Sequence, residues 1–223
     1  MTDMSSARMA MINSQLRTNN VTDKDVLSAM ATVPREQFVA AKWRPLAYLD
    51  RDIEIAPAES DGLARYLIKP MVFARLAQAA EIGTDDIVLD VGCGSGYSAA
   101  VLARVAGAVV ALEENARLAE RATANLDEIG AANATVVAAP AAAGHAQEGP
   151  YDAIIVEGSI DEVPATLLDQ LKDGGRLVAV IGRGNAAAAT VYTRSGKIIS
   201  SRVVFNAALP QLPGFARETG FVF

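Results

Sequence analysis

An α/β fold is predicted for this chain: a doubly wound, mostly parallel seven-stranded sheet with an antiparallel C-terminal hairpin and an N-terminal helical lobe. Three observations carry that expectation. From Pro70 onward, short apolar runs alternate with helix-length segments, and continuously apolar strands between helices mean a parallel sheet covered on both faces. Near the end, two strand-like runs flank Ser195-Gly196, the pattern of an antiparallel hairpin. Before Pro70 the strand pattern is missing and helical spacing replaces it.

In chain order, Met9, Ile12 and Leu16 recur at helical spacing. Thr22-Asp23-Lys24-Asp25 then opens a second helix, with Thr22 as the expected cap and Asp25 facing the positive helix end. Val33–Phe38 breaks that helix and starts a short one, with Pro34 in its first turn. Asp50–Lys69 has no sustained period and contains Pro57, Ser60, Asp61 and Gly62, so an irregular connection is expected. The helical lobe and this substrate-side loop span 1–69, and the ligand-binding domain spans 70–223. In that domain, helices are expected over Met71–Ala80, Tyr97–Val105, Ala116–Ile129 (stopped by Gly130) and Pro164–Lys172. Strands are expected over Ile87–Val91, Val109–Leu112, Ala134–Ala138, Ala153–Val156 and Arg176–Ile181, with the hairpin formed by Ala188–Arg194 and Lys197–Phe205.

Composition narrows the function classes. Apolar residues make up 51% of the 223 positions and charged ones 21%, enough for a packed core and against disorder. A net charge of −6 gives no general attraction for a phosphate backbone, so no nucleic-acid partner is expected. No apolar run is long enough to span a bilayer, and MTDMSSARMAMINSQLR lacks the layout of a secretory leader. The single cysteine, Cys93, excludes an intrachain disulfide, and with the single His145 it excludes multi-cysteine and multi-histidine metal sites. The expectation is a soluble cytoplasmic protein with no membrane partner and no metal.

The chemistry-bearing segment is Asp90-Val91-Gly92-Cys93-Gly94-Ser95-Gly96, directly after the clearest strand and directly before a helix. Glycines there let the chain turn tightly and let a ligand lie against the main chain. Glu113 ends the next strand, where a carboxylate can accept both hydroxyls of a ribose. The spacing is G-x-G-x-G, whereas a dinucleotide loop reads G-x-G-x-x-G. Asp90 would repel a pyrophosphate and suits a cofactor with a positive amino-acid end. Asp90, Gly92, Gly94, Gly96 and Glu113 are therefore the candidate cofactor residues.

This pattern resembles motif I of S-adenosylmethionine-dependent methyltransferases. With Val33-Pro34-Arg35-Glu36-Gln37-Phe38-Val39, Ala47-Tyr48-Leu49-Asp50, Pro150–Val156 and Gln170–Val178 added, the chain resembles the protein-L-isoaspartate O-methyltransferases over most of its length and in their order. The resemblance implies S-adenosyl-L-methionine as cofactor and methylation of a carboxylate in damaged, isoaspartyl-containing protein or peptide. Two departures accompany it. The family's Thr-Ile-Ser-x-Pro element, whose hydroxyls help hold the substrate carboxylate, aligns with Tyr66-Leu67-Ile68-Lys69-Pro70, so Ile68 takes the serine place. Its Gly-Asp-Gly beside the adenine aligns with Ala139-Pro140-Ala141. These departures keep two alternatives open: a methyltransferase acting on another protein or an unidentified small acceptor, and a non-catalytic cofactor-binding protein.

A carboxylate acceptor is already ionised at neutral pH, so no catalytic acid or base is assigned. Ile68, Lys69 and Glu157 are the candidate substrate-side residues; Lys69 or Tyr66 is a replacement donor for the missing hydroxyl, against a solvated lysine as the plainer reading. Glu157 ends its strand toward the crevice, though an exposed acid fits as well. His145 reads as a surface residue, Cys93 as a small filler, and Trp43 as an anchor between the lobe and the sheet.

Overall fold

The computed structural model describes residues 4–58 and 62–215. Among them, two short strands, β1 (Ile53–Ala56) and β2 (Arg65–Leu67), precede seven that form the main sheet. The seven are β3 (Ile87–Val91), β4 (Ala108–Glu113), β5 (Ala134–Ala138), β6 (Tyr151–Ile160), β7 (Leu171–Ile181), β8 (Ala188–Ser195) and β9 (Ile198–Asn206). Their order across the sheet is β5-β4-β3-β6-β7-β8-β9. Neighbours from β5 through β7 are parallel, and β7–β8 and β8–β9 are antiparallel. The chain runs outward through β3, β4 and β5 and then crosses back to lay β6 on the other side of β3. The carboxyl ends of β3 and β6 therefore flank the switch point where such sheets open a crevice.

Helices α1 (Met4–Met11) and α2 (Lys24–Thr32) lie in the N-terminal segment. The sheet is covered by α3 (Pro70–Ala80), α4 (Tyr97–Leu102), α5 (Ala116–Glu128) and α6 (Ala165–Leu168). α3 starts on Pro70 and ends at Glu81 in the left-handed region. The Asn115 side chain caps α5 by accepting from the Leu118 amide at 3.0 Å, and Gly130, at φ 68°, follows its end as expected. Apolar side chains of the N-terminal segment, from Met11 to Tyr48, belong to the same buried cluster as Val88, Ile155, Val178 and Val191 of the sheet. Trp43 is half-buried against that cluster. Among the described residues no helix is long and apolar enough to cross a membrane.

Several local expectations are corrected. Asp23, not Thr22, caps α2: its Oδ1 accepts from the amides of Asp25 and Val26 at 2.9 and 3.0 Å. The Thr22 amide instead donates to Gln78 Oε1 on α3 at 2.7 Å, tying the two helices together. A widened turn over Ile12–Leu16 resets the first helix, so Met11, Ile12 and Leu16 are buried while Met9 is exposed. The stretch Asp50–Lys69 is not wholly irregular; β1 and β2 pair antiparallel as a separate two-stranded sheet. Its Ser60 and Asp61 lie outside the described residues.

The helix expected to Val105 stops at Leu102, where the amides of Arg104 and Val105 turn back to carbonyls three residues earlier. The helix expected over Pro164–Lys172 is a single turn, because the Gln170 carbonyl accepts from the Tyr151 amide at 2.8 Å and draws Leu171 into β7. Strand β6 in turn runs past Val156 to Ile160, across an irregularity that contains Gly158.

The corrected cap makes a direct prediction. Asp23→Ala should lower unfolding free energy by about 1 kcal/mol, the usual cost of losing a capping oxygen. Thr22→Ala should stay within about 0.5 kcal/mol of the parent. Urea unfolding of the two variants checks the pair, and the reverse ranking would return the cap to Thr22.

Candidate active site

Three carboxylates converge at the carboxyl ends of β3, β4 and β6. Asp90, Glu113 and Glu157 come from three adjacent strands, and their exposures are 0%, 0% and 7%. Asp90 is paired with Ala111 and Ile155, and Glu113 and Glu157 each lie two residues further along the flanking parallel strands, so the topology itself builds the cluster. Glu113 is the most fully bonded. Its Oε2 accepts from the Gly94 amide at 2.8 Å, and its Oε1 accepts from the Asn115 amide at 3.0 Å. Asp90 Oδ2 accepts from Ser98 Oγ at 2.6 Å, but its Oδ1 has no partner, and neither has Glu157 Oε1.

The glycine loop is fixed from several sides. The amides of Gly92 and Cys93 donate to the Leu112 carbonyl, locking the loop to the end of β4. Ser95 Oγ donates to the Phe38 carbonyl at 2.6 Å, and Asn125 of α5 donates to the Ser95 carbonyl at 2.8 Å. Gly94 has φ 58°, a region costly for other residues, and its amide points at Glu113. Gly96 packs against Ala122 of α5, where an added Cβ would lie 3.1 Å from the Ala122 Cβ. That position is explained by helix packing, whereas Gly92 and Gly94 face the crevice.

Two buried arginines, neither singled out by the sequence pattern, supply the positive charge. Arg65 of β2 donates from Nη2 to Glu113 Oε2 at 2.7 Å and to the Gly92 carbonyl at 3.1 Å, while its Nε and Nη1 have no partner. Arg35, fully buried, donates to the carbonyls of Ala47 and Ile68 at 2.8 and 2.7 Å and stacks 4.7 Å from the Tyr97 ring centroid. Arg35 belongs to the Val33–Val39 run of the family pattern, with no role assigned to it there, and only the fold brings it to the Ile68 carbonyl.

The other sequence candidates divide clearly. Ile68 is buried and, with Arg65, Tyr66, Glu157 and Leu212, lines a narrow space at the crevice. Lys69 does not line it; its amide donates to Asp52 Oδ1 at 2.8 Å and its ammonium lies 3.9 Å from Asp52 Oδ2. Lys69 is thus committed to the start of α3, and of the two suggested donors only Tyr66 lies at the crevice. Cys93 is buried, and burial pushes its thiol up, consistent with a filler. His145 stands away from the cluster, its amide bonded to Gln170 and its carbonyl to the Tyr151 hydroxyl.

The electrostatics follow from the burial. Burial pushes the Asp90 carboxyl up to about 7, opposed by the Ser98 hydrogen bond and aided by Glu113. Burial, with Asp90 close by, drives Glu157 well above the carboxylate range despite Arg35 and Arg65. Burial also raises Glu113, and Arg65 together with the two amides pulls it back. The arrangement is chemically suited to a ligand with a diol and a positive end: Glu113 accepts hydroxyls, Asp90 and Glu157 face a cation, and the loop offers bare backbone.

Sheet order, crevice and glycine loop together define the Rossmann-like methyltransferase fold. A family model for protein-L-isoaspartate(D-aspartate) O-methyltransferase (PCMT) matches residues 6–208. A Koribacter versatilis protein-L-isoaspartate O-methyltransferase is 39% identical over 175 residues, 78% of this chain and 76% of its own. One from Rhodopseudomonas palustris strain BisB18 is 36% identical over 210 residues, 93% and 94% of the two chains. A Plasmodium falciparum structure described as a PCMT in complex with S-adenosyl-L-homocysteine superposes with TM-score 0.77 at 20% identity, covering 96% of this chain and all of that one. The chain belongs to the protein-L-isoaspartate O-methyltransferase family.

The Asp90 environment predicts how stability depends on pH. Its native carboxyl titrates near 7, above the unfolded value of about 4, so the native state binds that proton more tightly. The contribution is complete below about pH 4 and is lost as pH rises toward 7. Asp90→Asn, which can still accept from Ser98, should flatten the fall in unfolding free energy between pH 5 and about 7.5. Urea titrations at four pH values measure the slope, and an unchanged slope would remove Asp90 as its source.

Proposed function

We propose that this chain transfers a methyl group from S-adenosyl-L-methionine to the free carboxylate of an isoaspartyl residue in a protein or peptide, the activity named for its relatives. The observation that carries the reading is the Glu113 carboxylate, fully buried at the end of β4 and hydrogen-bonded to the Gly94 amide of the loop. The single buried cysteine and the absence of a membrane-crossing helix among the described residues support a cytoplasmic setting.

The donor set fits the cofactor. Glu113 would accept from the ribose hydroxyls, the backbone of Gly92 and Gly94 would take the nucleoside's flank, and Asp90 with Glu157 would face its positive amino-acid end. When bound, S-adenosylmethionine supplies a methyl group already activated on a sulfonium. The acceptor carboxylate is ionised at neutral pH, so the protein needs no general base and contributes positioning and exclusion of water. Arg35 holds the carbonyl of Ile68 and thereby fixes the wall against which an acceptor would lie.

A second reading, a methyltransferase with another acceptor, is favoured by one observation. Ile68, 3% exposed, offers a carboxylate an apolar wall where the family places a hydroxyl. A missing hydrogen bond to a charged group costs roughly 1.5–3 kcal/mol. Transfer of labelled methyl to paired aspartyl and isoaspartyl peptides separates the two. The proposal expects transfer to the isoaspartyl peptide alone, slower than about 1 s⁻¹. Ile68→Ser should raise that rate while S-adenosylhomocysteine affinity stays within about twofold. No transfer by either protein, with intact cofactor binding, would favour the other acceptor.

A further inference from the structure

The crevice that would receive the cofactor is filled by the chain's own side chains. Ile55 of β1 lies on Gly94 so closely that a Cβ there would stand 2.6 Å from Ile55 Cδ1. Leu212 lies on Gly92 in the same way, 2.7 Å from the corresponding Cβ position. Between them the Arg65 guanidinium spans the Glu113 carboxylate and the Gly92 carbonyl. Glu113, Gly92 and Gly94, the groups assigned to the nucleoside itself, are thus each in contact with a residue of the β1–β2 hairpin or of the segment after β9.

We infer that the β1–β2 hairpin is an internal competitor for the cofactor crevice, with Arg65 holding the ribose acid Glu113 until the hairpin lifts. This rests on the cofactor reading just given and adds a closed state to it. The hairpin is the element suited to move. It has no strand pairing to the main sheet, its base pair Ile53–Leu67 is held in the core, and Ile55 and Arg65 lie beyond that pair, away from the base. Leu212 is better anchored, since its amide donates to the Ser159 carbonyl and the Ser159 amide donates back to Pro210, pinning that segment along β6. The hairpin is tethered at its base, where Asp50 accepts from the Met71 amide and Asp52 from the Lys69 amide. A hinge there would release Ile55 and Arg65 together while leaving α3 in place.

The energetics allow an exchange. Breaking the buried Arg65–Glu113 pair alone would strand a buried carboxylate, which is strongly unfavourable. Replacing Arg65 by the two hydroxyls of a ribose leaves Glu113 with donors, and Arg65 regains water for the Nε and Nη1 groups that lack partners in the closed form. Opening is therefore coupled to ligand entry. The closed population then weakens the observed affinity by the fraction of open molecules.

The test is calorimetric titration of S-adenosylhomocysteine into the full chain and two variants, with hydrogen exchange as a readout independent of turnover. Arg65→Gln removes the ion pair but keeps an amide donor, and Ile55→Ala frees the face of Gly94 without altering a charge. Both should tighten binding, Arg65→Gln by about fivefold or more. Saturating ligand should speed amide exchange in residues 53–58 and 62–67 of the parent while slowing it in residues 92–96. Parent binding that neither variant tightens, or hairpin exchange that slows or stays constant, would overturn the competitor and leave the cofactor reading standing. No binding by any of the three at about 1 mM ligand would overturn both. Ile55→Ala decides the matter if Arg65→Gln fails to fold.

Discussion

The structure depends on keeping three carboxylates out of water at one end of a parallel sheet. Asp90, Glu113 and Glu157 arrive there because β4 and β6 flank β3 in parallel, with Asp90 paired to Ala111 and Ile155, two residues before each glutamate, and none reaches solvent freely. Burying a charge is expensive unless it is paired, hydrogen-bonded or neutralised by a proton, and the chain uses all three solutions. Glu113 takes Arg65 and two amides, Asp90 takes Ser98, and burial raises the proton affinity of Asp90, with Glu113 adding to it, and of Glu157, with Asp90 adding to it. The glycine loop and the start of α4 take up their positions around this arrangement, because two of the donors, the Gly94 amide and the Ser98 hydroxyl, belong to them.

The N-terminal segment completes the same site. Arg35 reaches the Ile68 carbonyl from 33 residues away, and Ser95 of the loop donates to the Phe38 carbonyl across 57 residues. Phe38 and Phe73 also meet the Tyr97 ring, with centroids 5.6 and 5.8 Å away. The segment before Pro70 therefore acts in two ways. Its apolar face extends the core, and its backbone supplies acceptors to the buried arginine and the loop. Its burial holds in place the wall on which an acceptor would rest.

The sheet was legible because its signals are local. Apolar runs, the stop at Gly130 and the turn at Ser195-Gly196 each act within a few residues, and all seven strands lie where the pattern puts them. Ends were less legible: Tyr151 draws Gln170 and Leu171 into sheet pairing, a tertiary contact that overrides the helical pattern of Pro164–Lys172. At the site, Asp90, Gly92, Gly94 and Glu113 could be found from strand ends and spacing. Arg65 could not, since its partner Glu113 lies 48 residues on and its own segment showed no period. The alternation within Arg65-Tyr66-Leu67, buried at its first and last positions, was the available clue. Lys69 sits beside Ile68, where a charge suggests a donor, but Asp52, from the lead-in to β1, engages it.

The two ends of the crevice have diverged differently from its middle. The middle keeps its glycines: Gly96 answers to α5, and Gly92 and Gly94, at φ 79° and 58°, hold the turn on which Ile55, Arg65 and Leu212 lie. After β5, Ala139-Pro140-Ala141 carries no acid, and the Ala141 amide approaches Glu114 Oε2 at 3.4 Å, a carboxylate that follows β4 and not β5. At the crevice edge Ile68 is buried, its carbonyl held by Arg35. The bare backbone of the loop and the Glu113 carboxylate thus meet at the middle of the crevice, beside the apolar wall that Ile68 gives its edge.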